Sequence, residues 1–182
     1  MCQEEARRDG MKYGSTYTLN GREYRLLYTA DAYFDINEAM GEDFMDKLVS
    51  AGRESYETAL GCFIILQREG ELARRYMGYD AEDIVTEGEL RRTILPGDII
   101  GIKNAVLEAI YSGLKIECTK EDGPIDAGLA EYEKKNSIRE KPMTREEFLS
   151  LCTRCGVSWR DALHERVGMI FEIYLGRRGG GE

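Results

Sequence analysis

Thr16-Tyr17-Thr18-Leu19-Asn20-Gly21-Arg22-Glu23-Tyr24-Arg25-Leu26-Leu27-Tyr28-Thr29-Ala30-Asp31-Ala32-Tyr33-Phe34-Asp35-Ile36-Asn37-Glu38-Ala39-Met40-Gly41 is the stretch whose reading decides the fold. Two short runs of alternating apolar residues, 16–19 and 22–28, meet at Asn-Gly. A two-residue type I′ loop needs positive φ at both positions, which these two residues tolerate best, so the runs predict a β-hairpin. Tyr17 and Leu19 share one face of the first strand, and Tyr24, Leu26 and Tyr28 one face of the second. Two strands alone are marginal in water, so that face must pack on helices. Thr29 is placed to cap a helix with Ala32, Tyr33, Ile36 and Met40 on its buried stripe and Gly41 as its stop.

Outward from this stretch the pattern is helical. Asp43 is placed to cap a short helix carrying Phe44, Leu48 and Val49. Residues 53–69 repeat apolar positions at Tyr56, Ala59, Leu60, Phe63, Ile64 and Leu66, the spacing of a central core helix, with Gly70 read as its end. Thr86 and Glu89 form a capping box. After Pro96 a long helix is expected to run to Ser112, with Ile99, Ile102, Val106, Ile110 and Leu114 on one stripe and Gly113 as its stop. Residues 115–142 lose the periodicity and carry charges of both signs, which predicts a linker with a weakly amphipathic helix at most over 127–135. Thr144 and Glu147 make a second capping box, before Phe148, Leu149, Leu151 and Cys152 and a stop at Gly156. Ser158 is expected to cap a last helix whose Trp159, Leu163, Val167, Ile170 and Tyr174 recur at helical spacing.

The expected architecture is mainly α with a small N-terminal β-hairpin. A loose leader (1–15) precedes a hairpin-plus-helices domain (16–114). A charged linker (115–142), a helical hairpin (143–175) and a glycine-rich tail (176–182) follow. The helical hairpin is too small to be stable alone, so it should dock on the main domain or on a partner.

Composition narrows the function. With 25 Lys plus Arg against 34 Asp plus Glu, the net charge of −9 repels a phosphate backbone, so nucleic acid is not an expected partner. Arg74-Arg75 and Arg91-Arg92 read as solvated pairs. No stretch approaches the roughly twenty apolar residues of a membrane helix. The acidic start and five cysteines at irregular spacing point to an unexported protein in a reducing cytoplasm.

Catalytic chemistry finds little support. Cys152 and Cys155 have the spacing of a metal or redox pair, but Cys118 and His164 are the only imaginable further ligands. The pair also lies at a helix end, where the dipole raises a thiol pKa. We read Cys152 as a buried apolar residue and Cys155 as near the surface. His164, the single histidine, cannot form H-E-x-x-H, and a partly exposed position beside Arg160 and Glu165 suffices for it. Gly97 to Gly101 lacks the lysine of a P-loop, and neither Glu42-Asp43 nor Glu82-Asp83 has the oxygen pattern of a calcium loop. No catalytic residue, metal or cofactor is expected. Eleven tyrosines and one tryptophan suit a binding surface. Tyr76 and Tyr79, read as lying in a loop around Gly78, are candidate contacts beside the stripe Trp159, Leu163, Val167, Ile170 and Tyr174.

The hairpin Leu19-Asn20-Gly21-Arg22-Glu23-Tyr24-Arg25-Leu26, the helix ending Glu38-Ala39-Met40-Gly41 and the following Asp43-Phe44-Met45-Asp46-Lys47-Leu48 resemble the N-terminal domain of tail assembly chaperones from long-tailed bacteriophages and gene transfer agents. Phe148-Leu149, Gly156-Val157-Ser158 and Asp161-Ala162-Leu163 are similar to the C-terminal segment of the longer forms of these chaperones. In many phages that form arises by translational frameshifting, whereas here both parts stand in one continuous sequence. The resemblance implies a chaperone in the bacterial cytoplasm that binds the tape measure protein, keeps it soluble and helps recruit tail tube subunits, with self-association possible. The alternative, from another class, is a small acidic mobile-element protein that binds and inhibits a host protein. A thiol or metal enzyme rests on Cys152 and Cys155 alone.

Overall fold

The computed structural model describes residues 14–79, 82–114, 143–154, 156–166 and 168. The chain is mainly helical with a two-stranded antiparallel hairpin at its start. Strands β1 (Gly14–Leu19) and β2 (Arg22–Leu27) pair with Tyr17 opposite Tyr24. The loop has the expected positive φ at both residues, 52° at Asn20 and 79° at Gly21. β1 begins inside the segment read as leader. Ser15 is buried there and its hydroxyl donates to the Ala105 carbonyl at 2.7 Å. A serine whose partner lies 90 residues away has no local signature.

Helices α1 (Ala30–Met40), α2 (Phe44–Val49), α3 (Arg53–Tyr76), α4 (Glu87–Thr93) and α5 (Asp98–Leu114) follow. The inward face of the hairpin, Leu19, Tyr24 and Leu26, packs against α3 and α5 around Leu60, Phe63, Leu66, Ile102, Val106 and Ile110. Phe63 takes the edges of Tyr17 and Tyr24 at 6.1 and 5.4 Å. Thr29 caps α1 as expected, accepting from the Ala32 amide at 3.1 Å, and Gly41 ends it at φ 90°. The Thr86–Glu89 capping box is complete. Asp43 makes no cap: its carboxylate turns to Lys47 at 2.7 Å, an ion pair that replaces the expected bond to the helix amides.

Gly70 and Gly113 correct the reading of both long helices. Neither is a stop. α3 continues six residues past Gly70 to Tyr76, and α5 includes Gly113. A Cβ on Gly70 would press into the Arg25 carbonyl oxygen, and one on Gly113 would lie 2.6 Å from that of Tyr28. Glycine is there because the backbone of β2 and its continuation crosses the helices at contact distance, not because the helices turn. Tyr76 therefore ends a helix rather than standing in a loop. α5 turns Ile102, Val106 and Ile110 inward, but Leu114 is exposed instead of completing their stripe.

The Arg74-Arg75 pair is not simply solvated: the Arg74 side chain is largely covered beside Glu71, with Nε 3.8 Å from its carboxylate, and Arg75 donates to the Glu82 carbonyl at 3.1 Å. Arg91 likewise bridges Glu57 and Glu87.

The C-terminal unit comprises α6 (Arg145–Arg154) and α7 (Trp159–His164). Thr144 and Glu147 exchange the two capping bonds at 3.0 and 3.3 Å. α6 closes in a Schellman arrangement, in which Val157 donates to Cys152 and Gly156 to Thr153, with Gly156 at φ 70°. Ser158 caps α7 through the Asp161 amide at 3.1 Å. The expected uninterrupted helix through Tyr174 is not formed: α7 ends at His164, and Arg166 makes an antiparallel bridge with Thr29. The Ala30 amide, an orphan donor at the start of α1, is satisfied by the Glu165 carbonyl at 3.0 Å, which holds 165–166 extended. The expected leader up to Tyr13, the linker 115–142 with its weak helix, Cys155, Val167, Ile170, Tyr174 and the tail 176–182 lie outside the described residues.

Candidate partner-binding site

Asp31, Phe34 and Asp35 share one face of α1, because positions three and four apart on a helix project together. That face receives α6. Arg145, the first residue of α6, reaches Asp31 Oδ1 with Nη1 and Asp35 Oδ1 with Nη2, both at 2.6 Å. Its guanidinium also lies over the Phe34 ring, 5.4 Å from the centroid. Three residues on, buried Phe148 meets Phe34 edge to face at 5.5 Å. Arginine followed by an aromatic one turn later thus grips a carboxylate, aromatic, carboxylate face. Its planar fork suits two carboxylates better than a lysine ammonium would.

Beside that contact a polar network runs from half-exposed Asp35 and Arg68 to buried Glu69 and Thr29. Arg68 pairs with Asp35 and with Glu69, whose Oε1 accepts from Arg68 Nε at 3.1 Å. Glu69 is 1% exposed and takes a hydrogen bond from the Thr29 hydroxyl at 3.2 Å. Thr29 therefore caps α1, bridges to Arg166 and ties α1 to α3 at once. Burial pushes the Glu69 carboxyl above its ordinary value; Arg68 and the Thr29 hydroxyl oppose the shift and Asp31 adds to it. Glu165 is pushed up by burial too, with Arg166 opposing.

A carboxyl that holds its proton more tightly when folded costs nothing below its unfolded pKa. It destabilises the fold as pH rises through the raised value. Glu69→Gln removes that cost while leaving Asp31, Asp35, Arg68 and Arg145 in place. The melting temperature of the variant relative to wild type should therefore rise between pH 4.5, the ordinary glutamate value, and neutrality. A difference that is flat or falls over that range contradicts the burial of a charged Glu69.

At the other end of the docked unit, the Tyr76 hydroxyl donates to Asp161 Oδ1 at 2.8 Å, and its ring lies 5.6 Å from that of His164 at an angle of 32°. The Ser158 hydroxyl, at 2.6 Å, and then that of Tyr76 hold the Asp161 carboxyl below its usual range. Tyr76, expected to meet a partner, thus fastens the end of α3 to α7. Tyr79 follows the turn after α3 and stays exposed. Trp159 is 60% exposed, flanked by its neighbour Arg160, while Leu163 is half-buried. α7 turns Ala162, not Trp159, into the core; Val167, Ile170 and Tyr174 of the expected stripe lie outside the described residues. Cys152 is fully buried, as expected of a structural thiol. Among the described residues no three His, Cys, Asp or Glu side chains are grouped to hold a metal ion, and no helix is long and apolar enough to cross a membrane.

Asp31, Phe34, Asp35, Arg68, Glu69 and Arg145 were not singled out from sequence. Charged residues on helices read as solvated, and only the partner-on-partner geometry sets them apart. Comparison of the chain with protein-family models, with curated proteins and with solved structures gives no match.

Proposed function

We propose that the chain is a binding protein rather than an enzyme: a tail assembly chaperone of a long-tailed phage or prophage, acting in the bacterial cytoplasm. In this reading it holds the helical tape measure protein soluble and helps bring tail tube subunits to it. The observation that supports the reading is the face of α1, which carries an amphipathic helix of the chain's own. A client helix presenting a basic residue and, one turn later, a large apolar residue would meet Asp31, Asp35 and Phe34 as Arg145 and Phe148 do now. This is helix-in-groove recognition with an aromatic anchor. The tethered α6 acts as a placeholder, covering Phe34 until a client displaces it. A net charge of −9 keeps such a protein, and the complex it forms, from aggregating.

Co-expression of the full chain with helical segments of a tape measure protein tests the proposal. The segments should remain soluble and co-purify, and Phe34→Ser should weaken the association by about tenfold or more, as loss of an anchor does. Segments that precipitate beside intact chain, or that bind the Phe34→Ser variant as well as wild type, would overturn it.

A further inference from the structure

The outer face of α5 carries a second apolar stripe, of which only Leu107 touches the core, and then in part. Ile102, Ala105, Val106, Ala109, Ile110 and Gly113 face the core. On the opposite side Ile100 is 68% exposed and Tyr111 62%, with Leu114 also exposed and Leu107 half-buried between them. A helix that needs one buried face has no internal use for two. Single exposed apolar residues are ordinary, but these lie within about one-sixth of the helix circumference at 100° per residue, over about 21 Å of length.

The spacing names the occupant. Ile100, Leu107 and Leu114 recur every seven residues, and Asn104 and Tyr111 fall between them at intervals of four then three. That is the seam of a coiled coil, with Ile100, Leu107 and Leu114 at d and Asn104 and Tyr111 at a. A single asparagine at a is the residue that fixes two parallel helices in register, because its amide pairs with its own copy across the axis. Lys103 and Glu108 then occupy g and e. In a parallel pair the g residue of one helix meets the e residue five positions further along the other, which sets Lys103 of each copy against Glu108 of its mate. An antiparallel pair would set like flanks together. The Lys103 ammonium gives two of its donors to the Ser50 carbonyl at 2.9 Å and the Ser55 hydroxyl at 3.0 Å, which hold it at the edge of the seam with a third donor to offer.

We infer that α5 is the interface of a parallel, two-fold homodimer, in which a second copy of this chain covers Ile100, Leu107, Tyr111 and Leu114. The inference is independent of what the α1 face binds. A seam of this length gives a small, reversible interface, with Kd on the order of 10 µM.

Sedimentation of the full chain over a concentration series tests it. A monomer–dimer equilibrium is expected, and the double variant Ile100→Lys, Tyr111→Lys should raise Kd by about tenfold or more per residue. Its circular dichroism should be unchanged, since both side chains are exposed. If that variant misfolds, Glu108→Lys, at an exposed position, should still raise Kd severalfold. Asn104→Cys should give a disulfide-linked dimer on mild oxidation above the background of the native thiols, because parallel register brings position 104 of the two copies together. A chain that stays monomeric well above the expected Kd overturns the inference, as does a dimer indifferent to these substitutions. A dimer that Asn104→Cys fails to cross-link overturns the parallel register. Tape measure segments that occupy this face in place of a second copy would overturn it too.

Discussion

Gly70→Ala is expected to lower the stability of the chain by about 2 to 3 kcal/mol, although alanine is the better helix former by about 1 kcal/mol. The new methyl group would meet the Arg25 carbonyl oxygen, which belongs to β2 and has no rotamer to change. Relief requires β2 to move off α3, and Leu26, buried on that strand, moves with it. Gly88, in α4, is the control. Nothing lies within 4 Å of a Cβ built there, so Gly88→Ala should stabilise by about 0.5 to 1 kcal/mol. Urea unfolding measures both. A Gly70→Ala variant that gains stability as Gly88→Ala does would show that the strand does not cross the helix at Gly70.

Arg145→Glu should release the C-terminal unit. The substitution sets a third carboxylate against Asp31 and Asp35, removes two 2.6 Å ion contacts and lifts the cation from the Phe34 ring. The groups are only partly covered, which discounts a buried-pair figure to about 1 to 3 kcal/mol. That is comparable with what holds two short helices whose fully buried apolar side chains are Phe148, Cys152 and Ala162. Hydrogen exchange should show residues 143–166 losing amide protection while α3 and the hairpin keep theirs. The same unit should loosen progressively with salt in the wild-type chain. A uniform loss of protection over the whole chain would mean that α6 and α7 belong to one cooperative core with α1.

The legible part of this fold is the part written in local chemistry. The Asn20-Gly21 loop, the Thr29, Thr86, Thr144 and Ser158 caps and the Gly41 and Gly156 stops each depend on residues within a few positions of one another, and each forms as read. Apart from the Asp43 cap, lost to Lys47 four residues away, what failed depends on distant segments. Gly70 and Gly113 look like helix ends until β2 and Tyr28 are laid across them. The run from Trp159 to Tyr174 looks like one helix until the Ala30 amide claims the Glu165 carbonyl. The α1 site was illegible for the same reason. Asp31 and Asp35 became partners of Arg145 only through a contact spanning 110 residues, and Glu69, within a run of helix-forming charges, gives no local sign of its burial.

In the function proposed above, a client helix binds the face of α1 that α6 now covers. Hydrogen exchange on the full chain, alone and saturated with a soluble tape measure helix, tests it most directly. Client binding should strip protection from residues 143–154 while residues 30–40 stay protected, with the client in place of the displaced helix. Client bound at saturation with 143–154 as protected as in the free chain would contradict it.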